Sequence, residues 1–380
     1  MAALSPAQHD ALLAAPAGIP PTGKASNITD PPNMQRGGRA IVLLLVIAAS
    51  LCFAVRVFSK VFLIRNIKLS DYLMIVAWAL LMGYIAPAWL VNNVAAGVDQ
   101  WNITFSDFIG LLYYLHIGSI MYGICILFIK LSILLQLLEI FGRGKDFFFW
   151  FCHVTIWGNL LFYLIYTFVQ IFACHPLSKS WDFLTTGSCL NIRLLNVIAG
   201  TLNALSDVII LILPQLRIWR LQMTVRRKIA ISTVFLFGVL ACVSGIARLV
   251  YTGLMFESPK PFKPTPNYSY FSYMAGLWTV PELAMGIIAG CLPSCPKFFQ
   301  ALLQTAVISK WSSYVQNSMS GLFRQARRSS DSSRIVESEA QCTKSDGLRK
   351  PPDQYPLTSF ASVRSDTVYL TAGSRLSTSS

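Results

Sequence analysis

Seven apolar runs follow one another along the chain, separated by short polar segments. They span Ala40–Ser59, Asp71–Val91, Phe108–Leu138, Phe147–Phe172, Leu194–Leu216, Ile229–Phe256 and Tyr270–Pro293. None alternates with the two-residue period of a barrel strand, and lipid cannot satisfy open backbone groups, so each run is predicted to be a helix. At about 1.5 Å per residue, some 20 residues cross the roughly 30 Å apolar core of a bilayer. The third run is long enough to tilt or to begin outside that core. The pattern predicts an all-α polytopic membrane protein, a seven-transmembrane helix bundle covering residues 40–296. A polar Pro-, Ala- and Gly-rich tail covers 1–39. It lacks the basic start and compact apolar run of a cleaved signal and is expected to stay on. A basic Ser-rich tail covers 297–380, with an amphipathic stretch over Phe298–Phe323 and disorder beyond it.

Composition agrees with that pattern. The 380 residues are 54% hydrophobic and 13% charged, against about 25% charged in soluble domains. A net charge of +14 suggests nucleic acid in a soluble protein. Here Lys and Arg placement reads as topology instead, and no nucleic-acid partner is expected. The first, third and fifth loops hold ten basic residues, including Lys60, Arg65 and Lys68, Arg143 and Lys145, and Arg217–Lys228. The alternate loops hold four: Lys179, Arg193, Lys260 and Lys263. The positive-inside rule then sets the N-terminus outside and the C-terminus in the cytoplasm. The three N-x-S/T sequons, at Asn27, Asn102 and Asn267, all fall on the outer side, where glycosylation occurs. The plasma membrane and the endomembranes both fit.

Of nine cysteines, Cys174 and Cys189 are the two in the fourth loop, on the oxidising side. A disulfide between them would close a loop of about 15 residues and contribute roughly 3 kcal/mol. The alternative is two free thiols. Cys291 and Cys295, at the inner end of the seventh run, read as helix-end packing or as palmitoylation sites.

Ionisable groups inside a membrane are expensive and usually face one another or a cavity. Lys130, Asp207, Arg248 and Glu282 interrupt the third, fifth, sixth and seventh runs. Helical rise from the inner ends sets Lys130, Asp207 and Glu282 roughly 12–16 Å deep and Arg248 about 28 Å up. Lys130 is therefore expected to pair with Asp207 or Glu282, leaving Arg248 to line an outward pocket and meet a polar or anionic ligand. Asn203 shares a helix face with Asp207. Trp278 lies one turn from Glu282, with Pro214 and Pro281 able to bend their helices. These six residues form a candidate ligand pocket or intramembrane polar network. Simple cohesion of the bundle explains them equally well. Arg56 and Asp71 are expected to pair at the inner interface. His116 reads as an interfacial residue.

Taken together, these residues resemble the fungal seven-helix membrane proteins grouped under a rhodopsin-like domain, which include receptor-like proteins. The resemblance spans roughly Arg39–Pro296. It rests on Arg56 before Asp71-Tyr72, Lys130-Leu-Ser-Ile-Leu-Leu before Ile140-Phe141, and Phe172-Ala-Cys-His-Pro176 with Trp181 and Cys189. It continues through Asn203…Asp207 before Pro214, Arg248-Leu249, and Trp278…Glu282 before Cys291-Leu-Pro293. Departures are Tyr72 where a second acidic residue is common, and a second-loop motif reduced to Gly97-Val-Asp. The resemblance implies receptor-like topology and, for some members, a place in secondary-metabolite gene clusters. It does not import retinal, because Tyr270–Pro293 contains no lysine. The Asp-Arg-Tyr and Asn-Pro-x-x-Tyr signatures of animal receptors are also missing.

The leading expectation is a receptor-like sensor of a small, partly apolar ligand. Arg217–Lys228 would meet a cytoplasmic signalling partner or anionic lipid. Ser329, Ser330, Ser332 and Ser333, within Arg327–Arg334, are candidate phosphorylation sites. The alternative is a membrane-embedded cyclase or isomerase of secondary metabolism using Asp207 or Glu282 as an acid. No metal cluster, nucleophile elbow, phosphate loop or dinucleotide fingerprint supports that alternative.

Overall fold

The structure, a computed structural model, describes residues 5–21, 23–142, 147–182, 184–218, 225–255, 267–296 and 298. The chain divides into units at residues 1–309 and 310–380, and the first holds everything below. Arg143, Lys145, Arg220, Lys260, Lys263, most of Phe298–Phe323 and the serines of Arg327–Arg334 lie outside the described residues. So do the side chains of Arg217 and Arg226–Lys228.

A short helix α1 (Pro6–Ala14) precedes seven long ones: α2 (Gln35–Phe58), α3 (Leu69–Val94), α4 (Phe105–Phe141), α5 (Phe147–Ile171), α6 (Ile192–Ile218), α7 (Val225–Met255) and α8 (Tyr268–Cys291). All seven are long and apolar enough to cross a membrane. Helix α2 starts five residues before its apolar run because its polar first turn finds partners on α3. Arg39 Nη2 donates to Asn93 Oδ1 at 2.7 Å and the guanidinium lies over the Trp89 ring. It ends in one π-helical turn, Ser59–Ile64, closed by Arg65 in the left-handed region. Helix α4 is capped by Thr104 Oγ1, which accepts from Asp107 N at 3.1 Å. At 37 residues it is about 55 Å long, well beyond a bilayer core.

Helices α8 and α4 form the centre. In their apolar stretches some 61% and 50% of residues are buried, against 11% for α7. Small residues on α8 permit this closeness, the packing rule of helices in lipid. A Cβ on Gly290 would collide with Met74 of α3. Leu283, Ala284 and Ile287 of α8 pack with Met74 and Leu81 of α3 and with Cys125 and Ile129 of α4 in one core.

The tail before α2 is more than a polar leader. Ala17 N donates to Ile103 O and Phe105 N to Ala15 O, both at 2.9 Å, making a short antiparallel bridge to the α3–α4 connection. Further along, Ser26 Oγ donates to Trp101 O, Asn27 N to Asn102 Oδ1 and Met34 N to Ala96 O. That connection is tied in turn to the start of α8, where Asn267 Oδ1 accepts from Gln100 N and Ser269 Oγ donates to Val98 O. The N-terminal segment therefore covers one end of the bundle. At the same end, the α5–α6 connection folds back through strands β1 (Cys174–His175) and β2 (Ser188–Cys189), and the Cys174–Cys189 disulfide is formed.

Candidate functional site

Four helices bring their charged residues to one level. Lys130 Nζ of α4 lies 2.8 Å from Asp207 Oδ1 of α6, and Arg248 Nε of α7 lies 2.7 Å from Glu282 Oε2 of α8. Lys130 and Glu282 are almost fully buried. The four formal charges cancel, which is what makes them tolerable at that depth.

Asn203 of α6 joins the two pairs. Its Oδ1 accepts from Lys130 Nζ at 2.8 Å and from Tyr163 Oη of α5, and its Nδ2 donates to Glu282 Oε1 at 2.7 Å and Asp207 Oδ2 at 3.3 Å. Lysine only donates and a carboxylate only accepts, so the amide can face them in one orientation alone. All four of its hydrogen-bonding positions are then used. Tyr122 of α4 completes the second pair. Its hydroxyl donates to Glu282 Oε1 at 3.0 Å and accepts from Arg248 Nη2 at 2.7 Å. Each cation also lies over a tyrosine ring, Arg248 over Tyr122 at 4.4 Å and Lys130 over Tyr163 at 5.5 Å. Gly245, one turn before Arg248, leaves the room this needs, since a Cβ there would stand 3.0 Å from Glu282 Oε1.

The expected height of Arg248 is corrected by this geometry. Helical rise alone separated it from Glu282 by more than 10 Å. In a helix every Cα–Cβ bond leans toward the N-terminus. Helices α7 and α8 run in opposite directions, so the two side chains lean toward each other, and the long arginine closes the remaining gap. Trp278 is not brought into the network. It is half-buried, and α8 turns Thr279 and Val280 to the interior instead.

Between the network and the covered end of the bundle lies a cavity of about 200 Å³. Tyr122, Tyr163, Asn203 and Arg248 form its floor, and seven tyrosines in all line it. His116 of α4 belongs to its wall and meets Trp181 of the disulfide-closed connection at 5.8 Å. Tyr273 of α8 donates to Asn92 Oδ1 of α3 near Gly38, also in the wall.

A second network sits at the opposite end. Asp71 Oδ1 accepts from Arg56 Nη2 at 2.7 Å, and its Oδ2 lies 3.0 Å from Lys60 Nζ. Arg56, almost fully buried, also donates to Gln136 Oε1 and to the Gly290 carbonyl. Cys291 and Cys295 are free, as are Cys52, Cys125, Cys152 and Cys242. Burial pushes the Cys295 thiol above its ordinary pKa. Asn27 is exposed, Asn102 is buried and Asn267 caps α8. Tyr122, Tyr163 and Gln170 carried no signal in the sequence. An aromatic or amide inside an apolar run reads as filling until a buried charge is seen beside it.

A family model described as the fungal rhodopsin domain matches residues 55–301. Fugralins biosynthesis cluster protein 2 of Gibberella zeae is 28% identical over 302 residues, 78% of this chain and 73% of that protein. A SAT4 family membrane protein of Emericella nidulans is 35% identical over 207 residues, 54% of this chain and 50% of its own. Polyenoic acids biosynthesis gene cluster protein Ba17b of Metarhizium anisopliae is 27% identical over 127 residues, covering 32% and 35% of the two chains. No solved structure matches. Helix α8 contains no lysine, and Lys130 is committed to Asp207 and to two oxygens of Asn203. Among the described residues no group of three or more His, Cys, Asp or Glu side chains stands together as a metal site.

Proposed function

We propose that this chain, which belongs to the fungal rhodopsin domain family and is a multi-pass membrane protein, is a receptor-like sensor of a small, partly apolar molecule. The observation that carries this reading is the cavity of about 200 Å³ floored by Arg248, Tyr122 and Asn203. A ligand there would press on the residues that hold α4, α6, α7 and α8 together. Binding energy spent differently in two arrangements of those helices is what shifts a receptor between states. Two relatives are named for biosynthesis clusters, which supports a ligand drawn from secondary metabolism. The basic-loop asymmetry and the disulfide support an N-terminal face outside and a cytoplasmic face opposite. The basic segment Arg217–Lys228 then offers the contact to a signalling partner or anionic lipid. Both intramembrane carboxylates are held by cations, which favours binding over acid catalysis.

The test uses the full chain in lipid nanodiscs and a cavity-filling variant, Gly276→Phe. Gly276 lines the cavity and has open space where a Cβ would stand. Extracts of culture metabolites are expected to raise the melting temperature of the wild type and leave the variant's own melting temperature unmoved. Mass spectrometry of the bound fraction decides the chemistry. A compound recovered unchanged agrees with a sensor, and one recovered as a new product overturns that reading in favour of the enzyme.

A further inference from the structure

The cavity has a polarity of its own that narrows what it takes. Gln170, one residue before the end of α5, lines it and is only 5% exposed, yet its Oε1 has no hydrogen-bond partner. Ser180, in the disulfide-closed connection, lines it too, and its Oγ is also without a partner. Buried acceptors are nearly always satisfied, and leaving one unpaired costs about 1–3 kcal/mol. The Gln170 oxygen therefore calls for a donor from whatever fills the cavity.

The charge of the wall narrows it further. Among the lining residues Arg248 alone carries a formal charge. Its guanidinium is already neutralised by Glu282 and hydrogen-bonded to Tyr122. An anion finds no unspent cation there, and a cationic amine finds no carboxylate in the wall. The tyrosine rings and the aliphatic wall suit an aromatic or short apolar body. A volume of about 200 Å³ falls below the roughly 300–1,000 Å³ of drug-sized pockets. The occupant is therefore one ring, or one end of a longer chain.

Resting on the sensor reading above, we infer that the ligand is a neutral, hydroxyl-bearing aromatic or similar small molecule whose O–H donates to Gln170 Oε1. In its absence water takes that place, since the site is polar and roomy enough to hold it. The hydroxyl exchanges for the water with its hydrogen bond kept, whereas an ether of the same shape strands the oxygen.

The test is ligand-observed fluorine NMR with the full chain in nanodiscs at mildly acidic pH. The probes are para-trifluoromethylphenol, its methyl ether and para-trifluoromethylbenzoate. Probe dissolved in lipid is a common background, so each affinity is read as the excess over Gly276→Phe. The phenol is expected to bind about tenfold or more tightly than the ether. Gln170→Leu is expected to bring that ratio to about one while the ether still binds. Gln170→Met serves if the leucine variant does not give homogeneous protein. Equal binding of phenol and ether by the wild type, both lost in Gly276→Phe, overturns the hydroxyl inference and leaves the sensor reading standing. Preferential binding of the benzoate overturns the neutral class. Binding of all three probes that Gly276→Phe does not reduce removes the cavity, and the sensor reading with it.

Discussion

The pairing of Lys130 with Asp207 sets a definite energetic expectation. Lys130→Met leaves Asp207 as a buried carboxylate whose remaining close partner is the Asn203 amide, at 3.3 Å. Asp207→Leu leaves an ammonium held by two oxygens of Asn203, one of them backbone. Removing one member of a buried pair costs about 3–5 kcal/mol, because the other charge is left behind. If the two residues acted independently, the double variant would therefore cost roughly 6–10 kcal/mol. With both charges gone, the losses are the three bonds to Asn203, two from Lys130 of α4 and one within α6 to Asp207, at about 0.6 kcal/mol each, the value for such bonds in lipid. The double variant is then expected to cost about 2 kcal/mol, less than either single one. Equilibrium unfolding of the four proteins in mixed micelles, followed by tryptophan fluorescence, measures this directly. A double variant additive within about 0.5 kcal/mol would refute the pairing and the depth assigned to these side chains.

Three more expectations follow from the same reasoning. At the opposite end of the bundle, Asp71→Ala strands both Arg56 and Lys60 and should destabilise by about 3–5 kcal/mol. Lys60→Ala should cost less in the same unfolding assay, because Arg56 still lies 2.7 Å from the carboxylate. Reduction of Cys174–Cys189, or Cys189→Ser, should lower stability by about 3 kcal/mol in unfolding measured with and without reductant. On the covered end, Asn27→Gln should abolish an endoglycosidase-sensitive mobility shift and Asn102→Gln should leave it intact, because Asn102 is buried. A mobility shift that survives Asn27→Gln would move the glycan to Asn102 or Asn267, and no shift in the wild type would count against the assigned orientation.

The seven spans were legible because lipid imposes one rule on every residue of a run, and twenty apolar residues in a row express it without help from the fold. The same rule made Lys130, Asp207, Arg248 and Glu282 conspicuous. Their partners were harder to read. Helical rise fixes a Cα along its own axis, but not the direction in which its side chain leans, so Arg248 was set too high. Tyr122 and Tyr163 are ordinary inside apolar runs until four helices converge on them. The N-terminal segment looked like a polar leader because its attachment runs through backbone groups at Ala15, Ala17 and Met34, which sequence composition does not register. Gln170 was missed for a related reason. An amide near the end of an apolar run reads as a membrane-edge residue, and its unpaired oxygen exists only in three dimensions.

The attachment of that segment also has a consequence for the order of assembly. Residues 15–34 leave the ribosome before the groups that hold them, at 96–105, which are synthesised about 60–90 residues later. Those groups are in turn braced by Asn267 and Ser269, among the last to be made before α8 enters the membrane. Residues 15–34 thus wait for the start of α8 before their seat is complete. Until then the contacts that hold residues 15–34 are incomplete, and contacts so distant along the chain form slowly.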